Sequence, residues 1–315
     1  MNRGHHPWSP SLRTDSGPPA TACTTSDLAK RVRLSDVVQL TKPRIVLMVI
    51  VTVAAGFWMA VPSTHAVARL FNLLLGTALV AAGTNGLNQV AERAIDGLMR
   101  RTRNRPVPSG RISASQARAA AWLMGIAGVG YLALSVSLLV AALAAVTLVS
   151  YVFLYTPLKR RSSASTLVGA IPGALPIAGG WAAAAGNLTL EAWVLFWILF
   201  LWQLPHFLAL GWLYREDYAR ADLKVVSTTD PDGRLTFGYA SLYAAALLPV
   251  SLMPTLLGIT GHVYFVGALI LSLGFLVANV SAVFRSTALN ARRAFRMSLA
   301  YLPALLTLMV VNRVF

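Results

Sequence analysis

From about residue 45 onward the chain alternates between long apolar runs and short polar ones. Nine apolar stretches can be read, near 45–63, 69–90, 116–136, 138–156, 166–186, 191–212, 236–257, 262–284 and 296–314. Each approaches the roughly 20 residues that a helix needs to cross a hydrocarbon core. A backbone in lipid must satisfy its own hydrogen bonds, so such runs predict helices. Several contain Gly and Pro, as in GAIPGALPIAGG (169–180). Membrane helices accept these where neighbours satisfy the freed backbone groups, and small residues permit close helix approach. The pattern predicts an all-α polytopic membrane protein, with nine transmembrane helices over residues 36–315. Residues 1–35 are rich in Pro, Ser, Thr and Gly without an apolar segment, which predicts a disordered arm rather than a cleaved leader.

Composition agrees and charge adds an orientation. Of the 315 residues 56% are hydrophobic and 12% charged, with a formal net charge of +16. All of the 27 Lys and Arg except Arg69 and Arg313 fall before residue 45 or in 93–118, 159–161, 215–234 and 285–296. Nine spans put all of those segments on one side. By the positive-inside rule that side is cytoplasmic, with the N-terminus inside and the C-terminus outside. Basic clusters placed between spans encode topology, so nucleic acid is not the partner this charge implies; the lipid bilayer is. The single cysteine, Cys23, excludes an intrachain disulfide and a cysteine metal site. His5 and His6 in the arm, and His65 and His262 in outer loops, suggest nothing specific.

Topology needs no acids, yet ten of the 11 Asp and Glu lie on the basic side, Glu191 being the exception. In NQVAERAIDGLMRRTRNRP (88–106), Asn88, Glu92 and Asp96 recur every four residues. At about 100° per residue they share one face of a continued helix where the second span emerges. Three oxygen-bearing side chains on one face suit Mg²⁺, which shares its ligands with substrate phosphates. Arg100, Arg101, Arg103 and Arg105 follow, and guanidinium forks match phosphate oxygens. An ordinary charged loop explains this cluster alone equally well. A second cluster, WLYREDYARADLK (212–224), places Glu216, Asp217 and Asp222 at the end of the sixth span, again on the basic side. Two acid-bearing helix ends on one membrane face favour a metal–diphosphate site.

Two further features have chemistry. In YTPLKRRSS (155–163), Lys159 can reach a phosphate. Tyr155 shares its helical side if the helix continues past Thr156-Pro157, and its ring face suits a carbocation; an interfacial belt tyrosine is the plain alternative. In WQLPHF (202–207), His206 lies inside a span, where an ionisable group is a functional candidate or a satisfied core histidine. Arg44, at the mouth of the first span, either faces the site or anchors topology. Ser113 with Gln116 is a capping pair that opens the third span.

At these residues the chain resembles the UbiA superfamily of intramembrane prenyltransferases and, within it, the protoheme IX farnesyltransferase (heme O synthase) family. The resemblance runs from LTKPRIVLMVIVT (40–52) to the C-terminus. It rests on NQVAERAIDGLMRRTRNRPVPSGRIS, YTPLKRR with GAIPGALPIAGGWAAAAG, WQLPHFLALGWLYREDYARA and PDGRLTFGY. It implies a nine-helix bundle with a cytoplasmic-facing active-site cavity. Asn88, Glu92, Asp96 and Asp217 would bind Mg²⁺–diphosphate, Arg103, Arg105 and Lys159 would hold the diphosphate, and His206 would contact the porphyrin. The implied reaction joins farnesyl diphosphate to a vinyl group of protoheme IX with water addition, in a bacterial-type inner membrane. Heme O would pass to a heme A synthase or heme-copper oxidase assembly factors. The chain departs from the family pattern at SSAS (162–165) and DLKVVS (222–227), which leaves Asp222 an extra acid. Prenyl transfer to a quinone or chlorophyll precursor is the nearest rival. A transporter would string ionisable residues through the membrane, whereas here the acids stop at one interface.

Overall fold

The computed structural model describes residues 33–60 and 66–314. Cys23, His5 and His6, the arm before residue 33, and His65 lie outside the described residues.

Among the described residues nine helices are long and apolar enough to cross a bilayer: α2 (Pro43–Ala60), α3 (Val67–Ala91), α5 (Ala114–Ser135), α6 (Leu138–Leu158), α7 (Ser165–Ala185), α8 (Leu190–Leu213), α11 (Arg234–Leu256), α12 (His262–Phe284) and α13 (Ala288–Val311). Four short helices lie at their basic end: α1 (Leu34–Thr41), α4 (Arg93–Leu98), α9 (Arg215–Arg220) and α10 (Val226–Thr229). The only β pairing among the described residues is one bridge between Thr260 and Arg313. The protein is an integral, multi-pass membrane protein.

Apolar sequence on all sides of these helices leaves packing to shape, because lipid is as apolar as leucine. α7 and α8 form the centre and bury most of their surface, while α6 stands at the edge. Close approach relies on glycine. A Cβ at Gly180 would strike the carbonyl of Val53, and one at Gly56 the carbonyl of Ile177, so α2 and α7 meet backbone to backbone. Gly83 does the same for α3 against α5, where a Cβ would lie 2.6 Å from the Ala121 oxygen.

Three local details differ from the hydropathy pattern or settle it. The last span starts at Ala288, about two turns before the apolar run at 296. Ala291 and Ala294 are buried against Trp212 and Phe237, so packing keeps the arginine-bearing turns helical. α6 does continue past Thr156-Pro157: its last turns widen over Ser150–Tyr155, and Thr156 Oγ1 donates to the Tyr151 carbonyl at 2.8 Å. Such widened turns concentrate at functional sites. Helix α1, eight residues long, is too short to stand out as an apolar run. Its terminal carbonyls are taken by amide side chains of α3, Asn85 Nδ2 to Thr41 O at 3.2 Å and Gln89 Nε2 to Leu40 O at 2.9 Å. These bonds satisfy the acceptors that every helix end leaves over.

Candidate active site

The second long helix ends at Ala91 and α4 begins at Arg93, but the register of Asn88, Glu92 and Asp96 survives the junction. Glu92 N donates to Asn88 O at 2.9 Å and Asp96 N to Glu92 O at 2.8 Å. All three side chains are buried and line one cavity at the basic end of the bundle. Lys42, Arg101, Arg105, Tyr151, Tyr155, Lys159 and Tyr218 share that cavity with them.

Each of the three oxygen-bearing side chains has its own cation. Lys42 Nζ donates to Asn88 Oδ1 at 2.8 Å, Lys159 Nζ to Glu92 Oε1 at 2.7 Å, and Arg105 Nη1 to Asp96 Oδ2 at 2.8 Å. The second Asp96 oxygen, Oδ1, is buried with no partner. Burial pushes the Glu92 carboxyl up, but Lys159 beside it outweighs that and holds it below the usual carboxylate range. Burial lowers Lys159 in turn, yet Tyr155 and Glu92 raise it well above an ordinary lysine. Lys42 is the exception. Burial and the Arg105 charge push it down to about 7 against the weaker pull of Glu92.

Lys159 Nζ also stands 4.3 Å from the centroid of the Tyr155 ring, and that ring packs edge-on against Tyr151 at 4.9 Å. Residues 151, 155 and 159 therefore form one stripe down the end of α6. Gly169 on α7 makes room for it, since a Cβ there would lie 2.5 Å from the Tyr155 ring.

Three expected site residues do not line this cavity: Arg103, Asp217 and His206. Arg103 is exposed and does not line the cavity, whereas Arg101 does, its guanidinium 4.7 Å over the Tyr214 ring. The 99–110 segment is a succession of tight turns, which points alternate arginines to opposite sides. Asp217 is buried but does not line the cavity with Asn88, Glu92 and Asp96. It accepts from the Arg100 backbone N–H at 3.4 Å and pairs with Arg220. Desolvation raises its carboxyl, and the Arg220 and backbone hydrogen bonds more than reverse that, holding it low. Asp217 thus ties α9 to the arginine loop. Asp217→Asn weakens this tie without emptying the cavity. The expected loss of turnover is about tenfold, below that of a cavity acid, and is checked by assay of membranes with matched protein content. Among the described residues no three acidic or imidazole groups converge on one point. Glu216 and Asp222 are exposed, Asp222 pairing with Lys224 at 2.7 Å.

His206 is outside the cavity, on the side of α8 that faces α13. Its Nδ1 lies 2.8 Å from Ser298 Oγ, and its ring stacks on Trp202 at 5.2 Å and approaches Phe295 at 5.0 Å. Phe207, which does line the cavity, touches it at 5.5 Å. Arg44 is exposed, and its neighbour Lys42 occupies the site in its place.

Comparison with known proteins agrees with this fold. The UbiA prenyltransferase family matches residues 49–302. The chain belongs to that family. It is 46% identical over 289 residues to a protoheme IX farnesyltransferase of Solibacter usitatus (strain Ellin6076), covering 89% of this chain and 99% of the relative. It is 42% identical over 279 residues to a protoheme IX farnesyltransferase of Salinibacter ruber, with 89% and 99% covered. Among solved structures it resembles a digeranylgeranylglyceryl phosphate synthase with a TM-score of 0.76 at 15% identity, over 89% of this chain and 98% of that one. It also resembles a UbiA homolog from Archaeoglobus fulgidus bound to GPP and Mg²⁺, with a TM-score of 0.61 at 13% identity over 87% and 99%. These structures share the all-helical fold.

The residues present fit a hard divalent cation. Glu92 and Asp96 offer carboxylate oxygens and Asn88 its amide oxygen, the Asn88 NH₂ group being turned to Thr156 Oγ1 at 3.3 Å, and Asp96 Oδ1 has no other partner. Mg²⁺ binds through one or two carboxylates and completes its shell with water and substrate phosphate, so three ligands on one wall suffice.

Proposed function

We propose that this prenyltransferase moves the farnesyl group of farnesyl diphosphate to a vinyl group of protoheme IX. Water adds to the product, which gives heme O and diphosphate for heme-copper oxidase assembly. The observation that carries this reading is the full-length likeness to relatives named protoheme IX farnesyltransferase, joined to a cavity in which three oxygen ligands and their cations stand together. The basic end faces the cytoplasm of a bacterial-type inner membrane, with the N-terminus inside and the C-terminus outside.

In this reading Asn88, Glu92 and Asp96 would hold Mg²⁺, which would supply Lewis-acid neutralisation of the departing diphosphate. Lys42, Lys159, Arg105 and Arg101 surround the same space and stabilise charge on the phosphate oxygens as the allylic C–O bond breaks. The bonding pair leaves with the diphosphate. The Tyr155 face, backed by Tyr151, attracts the allylic cation. Leu208, Leu210 and Phe207 give the apolar wall that keeps water from that cation. The vinyl π pair then forms the new C–C bond, and water adds at the remaining cationic carbon and sheds a proton. The porphyrin contact is assigned to His206, beside rather than within the charged cavity, where Ser298 engages Nδ1 and Trp202 and Phe295 flank the ring. Asp217 and Arg220 hold the arginine loop over the cavity.

Membranes containing the protein, supplied with heme B, farnesyl diphosphate and Mg²⁺, are expected to form heme O, resolved from heme B by reversed-phase chromatography and mass. Chelation with EDTA should stop the reaction and added Mg²⁺ restore it. Prenylation of 4-hydroxybenzoate with heme left untouched would overturn the assignment of acceptor.

A further inference from the structure

The cavity pairs cations with ligands one to one, and one member of that set is placed at a conformational cost. Lys42 has φ of 53°, a left-handed conformation that a non-glycine residue adopts only when its surroundings enforce it. Those surroundings are extensive. The end of α1 is bonded by Asn85 and Gln89. Arg111 clasps the same helix from the arginine loop, donating to Asp36 Oδ1 at 2.7 Å and Gln39 Oε1 at 3.1 Å, and to the Asn104 carbonyl at 2.9 Å. Helix α1 is thereby fixed to both α3 and the loop that carries Arg105. Its next residue is the lysine on Asn88.

We propose that Lys42, Lys159 and Arg105 act as one set of three cations, each guarding one of the three ligand side chains, so that metal and diphosphate enter together by an exchange of partners. The proposal rests on the metal–diphosphate reading of this cavity given above. A divalent ion arriving alone would have to displace an ammonium or guanidinium and then share a poorly solvated cavity with it. A diphosphate arriving alone would meet Glu92 and Asp96. Arriving together, the metal takes the oxygens of Asn88, Glu92 and Asp96, and the three cations turn to the phosphate oxygens. No charge is then left unpaired. Asp96 Oδ1, buried and unpartnered, is an oxygen open to the metal before the exchange. Such coupling is reciprocal, each ligand tightening the other by the same factor.

The test uses the purified full-length protein in detergent, with Mn²⁺ as a paramagnetic probe of the metal position and inorganic diphosphate as the anion. Binding is corrected for the Mn²⁺–diphosphate complex in solution. Wild-type protein is expected to bind each weakly alone, with each tightening the other by about tenfold or more. Lys42→Gln should bind Mn²⁺ alone several-fold more tightly than wild type, because one guard is gone, while its diphosphate affinity and the coupling both fall. Arg111→Gln, which only loosens Lys42, should move both quantities the same way by less, and Lys42→Arg should keep the coupling. A purely structural lysine would change thermal stability and leave the coupling intact. That result, or Mn²⁺ affinity unchanged or weakened in Lys42→Gln, overturns the exchange. Should Lys42→Gln not fold, Lys159→Gln answers the same question at Glu92. Failure of wild type to bind diphosphate even with Mn²⁺ overturns the metal–diphosphate reading itself, so the two failures are distinguishable.

Discussion

Asp96→Asn is expected to reduce farnesyl transfer by about 10²–10³-fold while the protein still accumulates in the membrane. The substitution keeps the size of a fully buried side chain and removes its charge. Asp96 is the member of the ligand set with a free buried oxygen, and its other oxygen holds Arg105. Asparagine would present a neutral oxygen to a metal that favours carboxylate, and an NH₂ group to either the metal or the guanidinium. Both the metal position and the Arg105 position weaken together, which is why this one atom change is expected to act so strongly. Heme O formation per unit of immunodetected protein is the measurement. Full activity would remove the metal-site reading.

Lys159→Met should cost turnover by about 10²-fold and raise the KM for farnesyl diphosphate, and it should also lower the thermal midpoint. The two effects have different origins. Removing one partner of a buried pair leaves Glu92 charged and uncompensated, a loss of about 3–5 kcal/mol in comparable sites. Loss of an ammonium beside the diphosphate weakens binding in the transition state. The double variant Glu92→Gln/Lys159→Met separates them. It should recover most of the thermal midpoint, because no unpaired charge remains, yet recover none of the turnover. Recovery of activity in the double variant would mean that the pair is structural and that neither side chain serves the reaction.

Much of the site was legible in the chain itself because it lies on helices, where spacing determines direction. Asn88, Glu92 and Asp96 at four-residue steps meet one cavity even though the helix is broken at Ala91, since the i to i+4 bonds bridge the break. Tyr155 and Lys159 stay aligned for the same reason. Where the backbone turns, spacing loses that power. Arg101 faces the cavity and Arg103 does not, and only the sequence of turns between Met99 and Gly110 decides it. Asp217 carried the right chemistry for a ligand, but its direction depends on how α9 packs on the arginine loop. Lys42 had a visible signal, a lysine before proline at the mouth of the first span, that reads equally as a topology anchor.

The membrane architecture was determined by the sequence alone. Burying about twenty apolar residues in a row is favourable only in lipid, and in lipid only a helix satisfies the backbone, so span number follows from hydropathy. The arginine-bearing start of α13 escaped that logic, because its helicity comes from Ala291 and Ala294 packing and not from burial in lipid. The pairings within the site were left to the tertiary structure. Which cation meets which oxygen, and whether His206 lines the charged cavity or packs on Ser298, depends on contacts between residues far apart in the chain. Such contacts arise from helix packing set by glycine and side-chain shape, and no local pattern encodes them.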